Sequence, residues 1–304
     1  MIILNRLILL VFFSFILNSS FGQGCSDAGA CSVESLNFDN PEINSQNHLS
    51  LNIEQSFGLG EKFVFISQTT AGIQYRLTKF NMLELRIPFI YTAGNLGNSM
   101  GVGDLLLSIN QRILSKNKHV LSAIIAGRIK TNDANKSFNN APLPMAYQTS
   151  LGTYDIILGA YYRYVLWDFY LAYQHSFGRN SNSYLNPFNE NNDNKLYYES
   201  NKLKRGDDLY FRARHFFNLK NENQIIVNSL FIYRIQQDEI VKNGSDVKLA
   251  GSEGLTVNLA VAYSTKLKNN RKLEYTLAFP IVDKDYRSDG LTRNVVIGIR
   301  LINL

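Results

Sequence analysis

Between Leu49 and Leu301, apolar and polar residues alternate in twelve short stretches, joined by connections that run short and long by turns. Successive side chains of an extended strand point to opposite faces, so each stretch builds a ribbon with one apolar and one polar side. The tenth is the clearest. Leu255, Val257, Leu259, Val261, Tyr263 and Leu267 share one face, and Thr256, Asn258, Ala260, Ala262, Ser264 and Lys266 share the other. An apolar face toward lipid and a small polar face toward a lumen is weak per segment but additive over twelve. The sequence predicts an all-β fold: an antiparallel, up-and-down transmembrane β-barrel of about 12 strands.

Strands are expected near 48–58, 68–78, 82–92, 103–113, 119–130, 153–165, 168–178, 207–218, 224–236, 255–267, 272–282 and 293–302. The short connections are Lys79 to Asn81, Leu114 to Lys118, Leu166-Trp167, Leu219 to Asn223 and Lys268 to Arg271; the long ones include Thr131 to Gly152, Arg179 to Gly206 and Gln237 to Gly254. Barrels of this class keep short turns in the periplasm and long loops outside. A strand of roughly 11 residues, rising ~3.3 Å each and tilted near 40°, climbs roughly 25 to 28 Å, the height of an outer-membrane apolar band. Aromatic residues fall at the expected interfaces: Tyr75, Tyr164, Trp167, Phe169 and Phe217 toward the turns, and Phe57, Phe89, Tyr91, Tyr154 and Phe177 toward the loops. A soluble β-sandwich with aromatic core residues is the rival fold, and it would not need connections of alternating length.

Composition agrees with one large β unit. The 304 residues include only six prolines but 17 Tyr and 19 Phe, with no long helical periodicity. A mean hydropathy of −0.14 is far too polar for helical spans, whereas a barrel turns half of every strand toward water.

Residues 1–22 read as a cleaved signal peptide, with Arg6, the apolar run Leu7 to Leu17, and Ser20-Phe21-Gly22 before the cut. A retained anchor is the rival, but the run falls short of the ~20 apolar residues of a span. Residues 23–46 form a polar periplasmic lead-in that holds the only cysteines, Cys25 and Cys31; residues 47–304 form the barrel. In an oxidising compartment a small Cys25–Cys31 disulfide loop is the leading expectation, with lipid attachment at Cys25 and a two-thiolate metal or redox site as alternatives. The net charge of +6 does not imply nucleic acid, because the bases are spread along an exported chain. The expected partners are outer-membrane lipid, the barrel-assembly machinery and a small solute; no cofactor and no metal are expected.

Charges on the inward faces form a second pattern. Asp104 with Arg112, and Asp155 with Arg163, place an acid near the outer end of a strand and a base near its periplasmic end; Asp208, Arg212 and Arg214 are a shorter version. Across hairpins centred on Phe80 and Asn270, Arg76 is expected opposite Glu84 and Lys266 opposite Glu274. Cross-strand pairs of this kind can simply satisfy a filled interior. Over the whole set, however, the acids Glu54, Glu84, Asp104, Asp155, Asp208 and Glu274 are outnumbered by Arg76, Arg86, Arg112, Arg128, Arg163, Arg212, Arg214, Arg234, Lys266 and Arg300. The expectation is an electropositive lumen with a basic collar of Arg76, Arg112, Arg163, Arg214, Lys266 and Arg300 at the periplasmic mouth, favouring anionic or carboxylate-bearing solutes.

No catalytic constellation competes with this. His48 and His119 begin strands, and His175 and His215 point outward by parity. An outer-membrane phospholipase would place His and Ser on one outer surface, but His175 and Ser176 are sequence neighbours in a strand and so point apart. Gly101-Val102-Gly103-Asp104 lacks the Gly-Lys-Ser and helix of a phosphate loop, and fits a tight turn or bulge. The acidic and amide run Asn189 to Asn194 lacks the spacing and glycine of a calcium loop.

Gly101-Val102-Gly103-Asp104-Leu105-Leu106-Leu107 leading to Arg112 resembles the phenol-degradation MetA-pathway family and related fatty-acid-transporter-like barrels. The Phe-Gly-Gln at the signal end and the abundance of Asn, Lys, Tyr and Ile resemble envelope proteins of the Bacteroidota. The chain departs from these families in ending at Leu304 instead of Phe and in lacking an Asn-Pro-Ala plug motif. The resemblance supports the barrel class, and the function expected from the residues is a non-enzymatic channel or transporter for small solutes, with the Arg179 to Gly206 loop as lid or constriction. A non-conducting structural or partner-binding barrel is the alternative, and a lipid-acting enzyme a third.

Overall fold

The computed structural model describes residues 48–186, 196–269, 271–291 and 293–303. The signal peptide, the Cys25 and Cys31 lead-in and the Asn189 to Asn194 run lie outside the described residues. Among those residues, twelve long strands follow one another: β1 (Leu49–Gly60), β2 (Phe65–Arg76), β3 (Asn81–Gly94), β4 (Leu105–Lys116), β5 (His119–Ile129), β6 (Tyr154–Tyr164), β7 (Trp167–Phe177), β8 (Asp208–Asn218), β9 (Gln224–Arg234), β10 (Gly254–Lys266), β11 (Lys272–Val282) and β12 (Arg293–Ile302). Each pairs antiparallel with the next, and β12 pairs with β1, so the sheet closes on itself and leaves no long edge unpaired.

The period-2 pattern sets the two surfaces. In β10, Leu255, Val261 and Tyr263 are exposed on the outside while Thr256, Asn258 and Ser264 are buried inside. Val257 is outward by parity but covered, beside a bulge between Val257 and Asn258. Around the barrel the outer surface is a belt of exposed Leu, Ile, Val and aromatic side chains, including Tyr75, Tyr164, Trp167 and Phe217 at the turn end and Phe57, Phe89, Tyr154 and Phe177 at the loop end. A continuous apolar surface of this extent fits hydrocarbon and not water.

The short turns fix the register, and here two expectations are corrected. Leu77 donates its N–H to the Asn81 carbonyl at 3.0 Å, and Thr78 Oγ1 accepts the N–H groups of Phe80 and Asn81, which centres the β2–β3 turn on Lys79. Gln74, not Arg76, therefore stands opposite Glu84, and Arg76 faces Met82. Likewise Leu267 donates to the Arg271 carbonyl, and Asn269 takes the left-handed conformation that Asn tolerates. Ser264, not Lys266, then stands opposite Glu274. In each case the turn centre sits one residue earlier than the sequence suggests, which shifts every partner by two and preserves the inward face.

The loop end carries an ordered cap. β3 rolls back through a tight Gly94–Gly97 hairpin into the short strand Gly97–Val102, and the segments 131–151, 196–206, 235–253 and 283–291 fold over the mouth. The cap has its own apolar core: Leu143, Tyr147 and Tyr184 pack in one cluster, and Met145, Leu203 and Ile240 in another. At ~1.5–3 kcal/mol for each fully buried large side chain, these clusters favour docking of loops that have little regular structure.

Candidate functional site: the lumen and its cap

The lumen has two kinds of wall. On the inward faces of β3 to β9, Met82, Leu106, Ile157, Tyr161, Tyr170 and Tyr210 form one buried apolar and aromatic lane. On β1, β2 and β10 many inward positions are short and polar, among them Asn52, Ser56, Thr70, Asn258 and Ser264. Both follow from the even or odd parity of each strand; the sequence chose which parity carries tyrosine and which carries serine.

Where the cap meets the barrel, a lattice of buried charge ties loops to wall. Arg234, at the end of β9, reaches Asp208 at 2.9 Å, Asp238 at 2.8 Å and Asp289 at 3.0 Å. Arg205, from the 196–206 segment, reaches Asp155 and Asp208 at 3.2 Å and Asp289 at 3.7 Å. Arg128 on β5 adds a 3.4 Å contact to Asp155. All these side chains are almost fully buried. Burial alone would raise the Asp289 pKa, but Arg234, Lys284 and Arg205 hold its carboxyl well below the usual carboxylate range. Burial, with Arg234 adding to it, lowers the Lys284 ammonium. Such a lattice is stable only when complete, because removing one partner leaves a buried charge uncompensated.

Neutral contacts add to this docking. The Tyr147 carbonyl accepts hydrogen bonds from Thr92 Oγ1, at 3.1 Å, and from Ser99 Oγ, and Tyr147 Oη accepts the Leu96 N–H at 3.1 Å. Gly290, at φ +66°, passes so close to the Met145 carbonyl carbon that a Cβ would lie 2.3 Å from it. The 143–151 and 283–291 segments thus meet across the mouth. Gly103 is also close-packed, its missing Cβ 2.8 Å from Ile90 Cδ1, and the pairing of β3 slips by one residue between Val102 and Leu106; there the Asp104 carboxylate accepts the Leu151 N–H at 2.9 Å and the Thr131 N–H at 3.4 Å. Burial pushes the Asp104 pKa up.

The structure distributes the sequence-derived site residues between the two ends. Asp104, Asp155, Asp208, Arg128 and Arg234 belong to the cap junction. Arg163 and Arg214 converge at the turn end on Asp168, at 2.6 and 2.7 Å. Asp155 turns to Arg128 and Arg205, and Arg163 to Asp168. Arg86 reaches Glu54 at 3.1 Å, and the register sets Arg300 between Glu54 and Glu274. Lys266 pairs with Glu222 at 2.7 Å across to the neighbouring turn. Arg212 is buried on the inner face of β8; Arg76 and Arg112 lie near the turns, and Glu84 is fully buried, accepting from Gln74 Nε2 at 3.4 Å.

Sequence reasoning missed Asp168, Arg205, Asp238, Asp289 and Arg293. Asp168 carried a usable signal, since it shares parity with Tyr170, Gln174 and Ser176 on β7. The other four are loop or strand-end residues outside any periodic pattern. The outward His175 lies 2.7 Å from Asp207, whereas Ser176 turns inward to Thr153 Oγ1 at 3.1 Å, so this pair is no nucleophile and base. Among the described residues, no cluster of three or more His, Cys, Asp or Glu side chains is arranged to hold a metal ion.

No protein-family model matches the chain, and no curated protein does. Among solved structures it is similar to the COG4313 outer membrane channel from Pseudomonas putida F1, with a TM-score of 0.57 and 14% identity over 84% of this chain and 94% of that one. The NanC porin is aligned over 83% of this chain and 97% of its own, at 7% identity and a TM-score of 0.48. The CymD monoaromatic hydrocarbon channel covers 94% and 98%, at 8% identity and a TM-score of 0.41. At these identities the likeness is one of fold.

Proposed function

We propose that this protein is an outer-membrane channel for small solutes, reaching the membrane after export by a cleaved signal peptide, with its short turns in the periplasm and its cap outside. One observation carries the reading: a closed barrel with an apolar outer belt encloses an interior lined by arginines and hydroxyl groups, which a merely structural ribbon would not need. The basic groups at the turn end, Arg76, Arg112, Arg163, Arg214, Lys266 and Arg300, would favour anionic or carboxylate-bearing solutes by focusing the field in a narrow passage. Asp168 and Glu222 temper that preference. The Arg179 to Gly206 loop is the proposed lid or constriction, a reading supported by Arg205, in its described part, being clamped into the junction lattice. Similarity of the Gly101 to Leu107 segment to the MetA-pathway and fatty-acid-transporter-like barrels agrees with a transport role.

A packed interior favours a second reading, a non-conducting envelope barrel that binds a partner through its cap; Tyr210 and Asn110 are fully buried in the lumen. Single-channel recording in a planar bilayer decides between them. The channel reading expects discrete conductance, rising when the cap lattice is broken, and an anion-favouring reversal potential in a salt gradient. Silence in both the intact and the uncapped barrel would overturn it, and cation preference would overturn its charge component.

A further inference from the structure

We infer that the cavity directly beneath the cap is a binding subsite for a monocarboxylate with a short apolar body, of the size of benzoate. The inference deepens the channel reading and rests on it only for the direction of passage, not for binding. The cavity has a volume of about 80 Å³ and lies between the inward faces of β2 to β5, the start of β12 and the cap segments 145–151 and 289–291. One water needs ~10–15 Å³ on this measure, so the space exceeds what a bridging water fills.

Its lining divides by chemistry. Three guanidinium side chains, Arg86, Arg128 and Arg293, face it from three different strands, while Ile66, Ile90 and Leu291 supply apolar surface. Arg128 is the informative one. It is 3% exposed; its Nη1 lies 3.4 Å from Asp155 Oδ2, and its Nη2 has no hydrogen-bond partner. A buried guanidinium N–H left idle costs free energy that an acceptor in the cavity would restore. The two acids on the lining are already engaged elsewhere. Asp289 binds Arg234 through Oδ2 and accepts the Leu291 N–H through Oδ1, and Asp104 accepts the Leu151 and Thr131 N–H groups. Arg86 is held by Glu54 at 3.1 Å and Arg293 donates to Gln68 Oε1 at 3.1 Å, so the idle Arg128 Nη2 is the donor an incoming carboxylate would take. The flat fork of an arginine fits the two oxygens of a carboxylate, and Thr70 and Gln148 stand on the same lining as further polar groups. The aliphatic residues then take the organic part, a role that a fully hydrated inorganic anion would leave empty.

The test is isothermal titration of the purified full-length barrel in detergent with sodium benzoate, benzyl alcohol and inorganic phosphate, on the wild type, Arg128→Gln and Ile90→Phe. Barrel integrity is checked for each by heat-modifiable gel migration. Saturable benzoate binding is expected in the wild type, weakened at least tenfold in Arg128→Gln; Ile90→Phe, which fills the apolar side and leaves every ion pair in place, should weaken it as well. Should Arg128→Gln fail to fold, Ile90→Phe carries the test. No benzoate binding, equal binding of benzyl alcohol or phosphate, or unchanged affinity in a folded variant would overturn the subsite. Conductance without benzoate binding would sink the subsite and spare the channel, and binding without conductance would do the reverse.

Discussion

At the turn end of the barrel, Lys266 and Glu222 meet at 2.7 Å with 27% and 66% of their side chains in solvent; at the loop end, Arg234 and Asp208 meet at 2.9 Å with 3% and 2%. The contacts look alike in distance and differ in consequence. An exposed pair is screened by water and contributes about 0–1 kcal/mol, so it tunes the potential of the mouth and holds little together. A buried pair sits in a medium where its loss leaves a bare charge, at a cost of about 3–5 kcal/mol. The Lys266–Glu222 pair is therefore electrostatically soft, and the Arg234–Asp208 pair is part of a latch. Lys266 and Glu222 reach each other between adjacent turns, whereas the latch joins wall to loop through residues such as Asp155 and Arg205 or Arg234 and Asp289.

The sharpest way to break this comparison is to truncate one cation at each end. Arg234→Leu should destabilise docking of the cap by about 3–5 kcal/mol, raising the rate of limited proteolysis in segments 235–253 and 283–291 by a hundredfold or more, whereas Lys266→Ala should cost about 0–1 kcal/mol and leave those rates alone. Equal effects would mean that burial does not separate the two ends. A backbone version of the same test is Gly290→Val. A side chain there collides with the Met145 backbone and is strained at positive φ, so a cost of about 1–3 kcal/mol and larger single-channel conductance are expected as the 143–151 and 283–291 segments part.

At the turn end the buried Asp168 carboxylate offers a charge test that also carries a stability cost, since its loss leaves two guanidinium groups uncompensated. Asp168→Asn removes the carboxylate shared by Arg163 and Arg214 and should move the reversal potential in a salt gradient toward stronger anion preference. An unmoved potential would place those arginines outside the conduction path. The smallest expected effect lies at the cap margin. Burial raises the Glu61 pKa to about 7, against the opposing hydrogen bond from the Tyr198 N–H. Because the folded state binds the proton more tightly, this contribution to stability is fully present below the ordinary carboxylate pKa near 4.5 and is lost as pH rises to about 7. Amide exchange of Tyr198, corrected for its intrinsic pH dependence, should show opening that increases across that window in the wild type and stays flat in Glu61→Gln.

Much of the barrel was legible because its signal is local. Alternation in Leu255 to Lys266 or Asp208 to Asn218 needs only the two-residue period of a strand, and the expected segments overlap all twelve observed ones. The register was less legible. A turn centre one residue away changes who faces whom without changing any face, and so Arg76 and Lys266 were assigned the wrong partners. Asp168 was readable from parity. Arg205, Asp238 and Asp289 were not, since loop charges carry no period and their meeting depends on three connections closing over one mouth.

The sequence by itself determined a closed sheet, an apolar exterior and an interior rich in arginine, because side-chain direction in a strand is decided residue by residue. Tertiary structure alone decided that the loops dock on one another at the loop end, that Arg234 and Arg205 share Asp289, and that a small cavity rests beneath them. Those outcomes belong to residues distant in sequence, whose desolvated charges have no compensation until the barrel has closed and the cap has docked.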